Sequence, residues 1–204
     1  MKIYIVRHGI TVWNELKKVQ GCADIHLAPQ GRSLAEKTGE ALRDVSFDIC
    51  FTSPLHRAWE TAALILGERA GRIPVIPDER IREINFGVLE GKVFKDREGN
   101  ILNEDLKTFF KDPWNYKRPE GGENIEDIVR RTGEFWKEKI SDPDLQDKTV
   151  LITSHGCAVR ALLQNVYRDK EDFWHGGPPP NCGVNVVEVA DGRTTLLEKD
   201  RVYA

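Results

Sequence analysis

The chain has 204 residues, 40% apolar and 31% charged, which suits one α/β domain with room for an inserted subdomain. A net charge of -3 excludes a broad basic surface, so no nucleic acid and no membrane is expected as partner, and any anion must be caught locally. The opening apolar stretch meets Arg7 too soon for a signal-peptide core, and no apolar run approaches the roughly 20 residues of a spanning helix.

Apolar runs of strand length alternate with helical patterns, which predicts a three-layer α/β/α sandwich with a mostly parallel central sheet. The first strand is expected at Lys2 to Arg7 and a helix from about Pro29 to Asp44. The four cysteines, Cys22, Cys50, Cys157 and Cys182, stand far apart without a C-x-x-C pair, so neither zinc nor disulfides are expected and the compartment reads as a reducing, cytoplasmic one. A strand at Asp48 to Thr52 leads into a helix from Pro54 to Arg69, with Ser53 as N-cap and Pro54 at the first helical position. After a short strand at Pro74 to Pro77, the pattern loosens from Gly87 to Gly122, and we read residues 88–122 as an inserted helical/loop lid. A plain solvated connection is the alternative, but structureless loops of this length are uncommon unless they serve a site. A helix from Asn124 to Lys139, a strand at Thr149 to Thr153 and a helix from Gly156 to Tyr167 follow. The run Gly176 to Pro180 makes a stiff turn before a hairpin, Gly183 to Val189 and Thr194 to Lys199, joined through Asp191-Gly192. Residues 1–204 thus read as a single domain with one insertion.

Chemistry concentrates at predicted strand ends, where ligands bind in open α/β sheets. Arg7-His8-Gly9 closes the first strand: a planar fork of donors for phosphate oxygens, a nitrogen nucleophile, and a glycine that lets backbone approach a ligand. Thr153-Ser154-His155-Gly156 repeats the arrangement at a second strand end. A third strand delivers Arg57 to the first turn of a helix, where free amides also favour anions. Then Glu83 and Glu90 offer carboxyl groups, one of which could protonate a departing ester oxygen and later take a proton from water; Glu90 reads better as a structural partner of backbone or arginine. Cys157, beside His155, reads as a small residue in a helix turn rather than a nucleophile.

The chain resembles the histidine phosphatase superfamily, which includes cofactor-dependent phosphoglycerate mutases and many small phosphatases. The resemblance runs over nearly the whole length. It rests on Arg7-His8-Gly9-x-Thr11-x-x-Asn14, Gln20-Gly21-x-x-Asp24-x-x-Leu27-x-x-x-Gly31 and Thr52-Ser53-Pro54-Leu55-x-Arg57-Ala58-x-x-Thr61-Ala62, then on Glu83-x-x-x-Gly87-x-x-Glu90-Gly91, Gly121-Gly122-Glu123 and Ser154-His155-Gly156. It implies that His8 becomes phosphohistidine, that Arg7, Arg57 and His155 hold the phosphoryl oxygens, and that Glu83 donates and accepts the proton. Asn14, Gln20 and the backbone around Gly21 and Gly156 would add substrate contacts. No metal or other cofactor is implied, since two arginines and a cationic His155 would supply the positive charge. These neighbours should also keep the His8 ring unprotonated, and the ring is expected to be open to solvent. Two departures stand out: Ile10 occupies a position that often holds glutamate, and Asn124 one that often holds serine.

The expected activity is a phosphatase acting on a small phosphorylated metabolite, chosen over a phosphoglycerate mutase because the Glu83 to His155 segment is short and Gly87 to Gly91 resembles the phosphatase branch. A binding module that has lost catalysis is the third reading, and no catalytic group is missing for it. Lys92, Lys95, Trp114, Tyr116, Lys117 and Arg118 of the lid are candidates to meet a polar or sugar-like leaving group. Nothing in the sequence indicates a homodimer.

Overall fold

The structure is a computed structural model describing residues 1–204. Six strands form one sheet in the order β3-β2-β4-β1-β5-β6: β1 (Lys2–Arg7), β2 (Ile49–Thr52), β3 (Val75–Pro77), β4 (Thr149–Ser154), β5 (Val184–Ala190) and β6 (Arg193–Arg201). The first four run parallel, and the final hairpin adds two antiparallel strands at one edge. The helices are α1 (Val12–Glu15), α2 (Pro29–Ala41), α3 (His56–Leu66), α4 (Glu104–Lys111), α5 (Ile125–Ser141) and α6 (Gly156–Leu163). None is long and apolar enough to cross a membrane.

The two-residue period of a strand divides β1 between two layers. Ile3 and Ile5 pack with Phe135, Leu162 and Leu163 of α5 and α6, while Tyr4 and Val6 pack with Leu42, Ala62, Ile65 and Leu66 beside α2 and α3. Buried on both faces, β1 and β4 are near-continuous apolar runs, whereas β6, at the sheet edge, alternates exposed and half-buried residues. The predicted sandwich is therefore the observed one.

Register positions the site. Arg7 pairs with Ser154 and Thr52 with Thr153, so the carboxyl ends of β1, β2 and β4 lie level. The next residues, His8, Ser53 and His155, emerge together at that edge.

One local expectation fails. The helix predicted from Pro54 begins at His56, with Leu55 at its N-cap and no side-chain cap of its own. Ser53 is drawn to His155 instead, and Asp24 from a distant loop caps the helix, accepting from the His56 backbone N–H at 2.8 Å. Residues 88–122, expected as a helical/loop insertion, contain a regular helix, α4, started by Asn103, whose side chain accepts from the Leu106 N–H at 3.0 Å. Leu106 and Phe109 enter a core shared with Ile84, Phe86, Ile125 and Phe173. Two such side chains at about 1.5–3 kcal/mol each hold the insertion against the body.

Candidate active site

His8 sits one residue past β1. Its Nδ1 lies 2.7 Å from the Gly9 carbonyl, a pairing that places the proton on Nδ1 and leaves the Nε2 lone pair free. Asn181, on the turn before β5, donates to the carbonyls of His8 and Gly9 at 3.0 and 3.2 Å, and Thr61 accepts from the Gly9 N–H at 3.0 Å. Gly9 and Gly31 are required by contact: a Cβ on Gly31 would stand 2.0 Å from the Ile10 carbonyl oxygen, and one on Gly9 2.5 Å from the Gly31 carbonyl. Ile10 serves here through its backbone, its carbonyl accepting from the Ala28 N–H at 2.9 Å. Burial, reinforced by the charges of Arg57 and Arg7, holds the His8 ring well below its ordinary pKa, so it is neutral.

The rings of His8 and His155 lie 5.2 Å apart. Arg57, on the first turn of α3 and fully buried, donates from Nε to Nδ1 of His155 at 3.1 Å, and Nε2 of His155 lies 2.7 Å from the Ser53 hydroxyl. With Nδ1 accepting, His155 carries its proton on Nε2. Burial first, then Arg57, holds its pKa well below the usual value. The cationic His155 expected from the sequence is thus corrected to a neutral one: a desolvated ring beside a guanidinium loses its second proton.

Arg57 also donates to the carbonyls of Ala23 at 2.7 Å and Gly21 at 2.6 Å. The loop that presents these carbonyls is held by Glu90, whose carboxylate accepts from the N–H groups of Gly21, Cys22, Ala23 and Phe86 at 3.1, 2.8, 3.2 and 3.1 Å. Glu90 is thus the structural partner the sequence suggested. Gly21 has its N–H bound to Glu90 and its carbonyl bound to Arg57, so it braces Arg57 and leaves no amide for a substrate, contrary to expectation.

Glu83 is buried, and both its oxygens face α6: Oε1 accepts from Ile84 and Ala158 at 3.0 Å, Oε2 from Cys157 at 3.1 Å. Burial outweighs these N–H groups and the nearby arginines, and its pKa is raised. The Gly121-Gly122-Glu123 motif acts through Arg131, which is paired with Glu123 at 2.9 Å and donates to the carbonyls of Arg80, Arg82 and Glu83. Gly156, at the first position of α6, brings Arg7 and Glu83 together: its Cβ position is 3.5 Å from the Arg7 guanidinium and 3.6 Å from Glu83 Oε2. Arg7 donates to the Pro179 carbonyl at 2.6 Å, and its Nε is buried without a partner. Gln20 likewise has a buried, unpartnered Nε2, its Oε1 lying 2.6 Å from the Thr11 hydroxyl. The Asn14 Oδ1 closes the capping box of α1 on Thr11, which leaves only its amide nitrogen for a ligand.

A cavity of about 110 Å3 opens beside this cluster. Its lining joins the polar Arg7, Asn14, Gln20 and Glu83, with Gly156, to the apolar Phe94, Leu106, Phe109, Phe110 and Trp174. The lid therefore meets the cavity through apolar side chains, not through the polar ones expected. Tyr116 is buried in the core, Trp114 donates to the Glu171 carbonyl, and Arg118 pairs with Asp127, while Lys92, Lys95 and Lys117 are absent from the lining. His8 is only 2% exposed and does not line the cavity, so the ring expected to be open is covered. Ser53, Asn181 and Thr61 complete the site without having been singled out for it; Ser53 stood in a quoted motif but was read as a helix cap, and Asn181 carries no local signal.

A level sheet edge that gathers two neutral histidines, two arginines and a buried glutamate around orphaned donors defines a class, the α/β proteins built for phosphoryl groups. Residues 3–200 match the histidine phosphatase superfamily (branch 1), and the chain belongs to that family. It is similar to a 2,3-bisphosphoglycerate-dependent phosphoglycerate mutase of Cytophaga hutchinsonii, 36% identical over 96% of this chain and 86% of the relative. Among solved structures it is similar to Bacillus stearothermophilus YhfR, with a TM-score of 0.87 and 29% identity over 98% of this chain and 97% of that one. It is also similar to phosphoserine phosphatase from Entamoeba histolytica, with a TM-score of 0.80 and 27% identity over 98% and 97%.

Proposed function

We propose that the protein is a phosphatase that hydrolyses a small phosphate monoester through a phosphohistidine on His8. In the first step the Nε2 lone pair of His8 attacks phosphorus, the ester P–O bond breaks, and protonated Glu83 gives its proton to the departing alkoxide. In the second, the Glu83 carboxylate takes a proton from water, the water oxygen attacks phosphorus, and the P–N bond breaks to release phosphate and neutral His8. Arg7, Arg57 and the Gln20 amide stabilise charge on the equatorial oxygens.

The observation that carries hydrolysis over isomerisation is the apolar face of the cavity. A mutase must retain a second anionic group while its intermediate turns over, yet apart from Arg7 the lining holds a single cation, Lys18. The mutase reading is favoured by the similarity to the Cytophaga relative. Incubation with 3-phosphoglycerate and a trace of 2,3-bisphosphoglycerate separates the two: release of inorganic phosphate outpacing formation of 2-phosphoglycerate is expected, and the reverse would assign a mutase. Phosphate release should also vanish in His8→Ala, and a labelled substrate should leave label in an acid-labile, base-stable bond.

A further inference from the structure

Resting on the phosphatase reading, we infer that the leaving-group side of the cavity is a subsite for an uncharged, ring-bearing alcohol, so that the preferred substrate is a phosphate monoester of that class. Two observations carry this. First, the lining carries aromatic surfaces, those of Phe94, Phe109, Phe110 and Trp174, and Phe110 is stacked with Phe94 at 5.9 Å and 23° and with Trp174 at 5.9 Å and 24°. Second, those surfaces offer a ligand no hydrogen bond. The indole N–H of Trp174 is spent on the Phe109 carbonyl at 3.0 Å, and the nearby ammonium groups rest over rings, Lys18 5.5 Å from the Trp13 centroid and Lys95 5.5 and 5.8 Å from those of Phe94 and Phe110. A serine or sugar moiety placed against these rings would lose water from its hydroxyl or ammonium groups without replacement by the rings.

The polar and apolar walls divide the work of recognition. Arg7, Gln20 and Glu83 meet the phosphoryl group and the bridging oxygen, and the aromatic wall takes what leaves. Phe94, Leu106 and Phe110 come from the insertion, so residues 88–122 set selectivity by packing rather than by charge.

The test compares 2-phenylethyl phosphate with glycerol 3-phosphate on the purified protein. Both are primary alkyl esters, so a difference reports recognition rather than leaving-group reactivity. We expect kcat/KM to favour the phenyl ester by about tenfold or more, and Phe110→Ala and Phe94→Ala to shrink that ratio toward one. A direct binding measurement on the unaltered protein covers the case of variants that do not fold: 2-phenylethylphosphonate should bind about tenfold tighter than ethylphosphonate. Equal or better turnover of glycerol 3-phosphate, with phosphate released, overturns the subsite and leaves the phosphatase reading standing. Isomerisation of 3-phosphoglycerate without hydrolysis of either ester overturns both.

Discussion

Arg57 donates its Nε–H to Nδ1 of His155 over 3.1 Å, and this bond decides the protonation state of the ring. An accepting Nδ1 requires a neutral imidazole with its proton on Nε2, where Ser53 receives it at 2.7 Å. Nitrogen NMR at pH 7 should show His155 as the Nε2–H tautomer. Ser53→Ala strands that N–H in a buried place and should cost about 1–3 kcal/mol of stability. A doubly protonated ring in the spectrum would contradict the assignment.

Burial and the two arginines hold the His8 ring well below its ordinary value of 6.5. The unfolded chain therefore takes up a proton near pH 6.5 that the native ring refuses. Its contribution makes stability fall as pH drops from about 6.5 toward the native pKa, with a slope of at most about 1.4 kcal/mol per pH unit. His155 acts in the same direction. Glu83 acts in the opposite sense: its native pKa is raised above 4.5, so the stability it contributes is lost as pH rises from about 4.5 through the native value. Urea melts at pH 7.5 and 5.5 should show a larger loss for the unaltered protein than for His8→Asn. Equal losses would mean that the native ring titrates normally.

Glu90 reaches Arg57 through backbone, by fixing the Gly21 to Ala23 loop whose carbonyls orient the guanidinium, as well as through its charge. Glu90→Gln keeps the size but replaces an acceptor oxygen with a donor facing N–H groups. Charged hydrogen bonds of this kind are worth about 1.5–3 kcal/mol. We expect the variant to fold with a lower Tm and to bind inorganic phosphate about tenfold more weakly, since Arg57 loses its aim. Unchanged phosphate inhibition in a destabilised variant would reduce Glu90 to a purely architectural part.

Gly156 has room for a methyl group, because its nearest neighbours lie at ordinary contact distance, 3.5–3.6 Å, but those neighbours are Arg7 and Glu83. Gly156→Ala should therefore leave Tm unchanged or slightly higher, as alanine is about 1 kcal/mol better in helices, while kcat falls by about tenfold or more. Loss of stability with activity retained would be the contrary result.

Strands β1 and β4 were legible because burial on both faces demands unbroken apolar runs, and their end motifs, Arg7-His8-Gly9 and Ser154-His155-Gly156, mark where the chain must turn. The α5 start was legible too, since the Asn124 cap acts within one turn and needs no distant partner. Local chemistry of this kind is written in consecutive residues. Only the tertiary structure could decide that Ser53 leaves its own helix for His155, that Asp24 caps α3, that His155 is neutral, and that the lid presents rings rather than charges to the cavity. Each of those outcomes depends on desolvation and on partners many positions away, which bring energies of a few kcal/mol that no local pattern encodes.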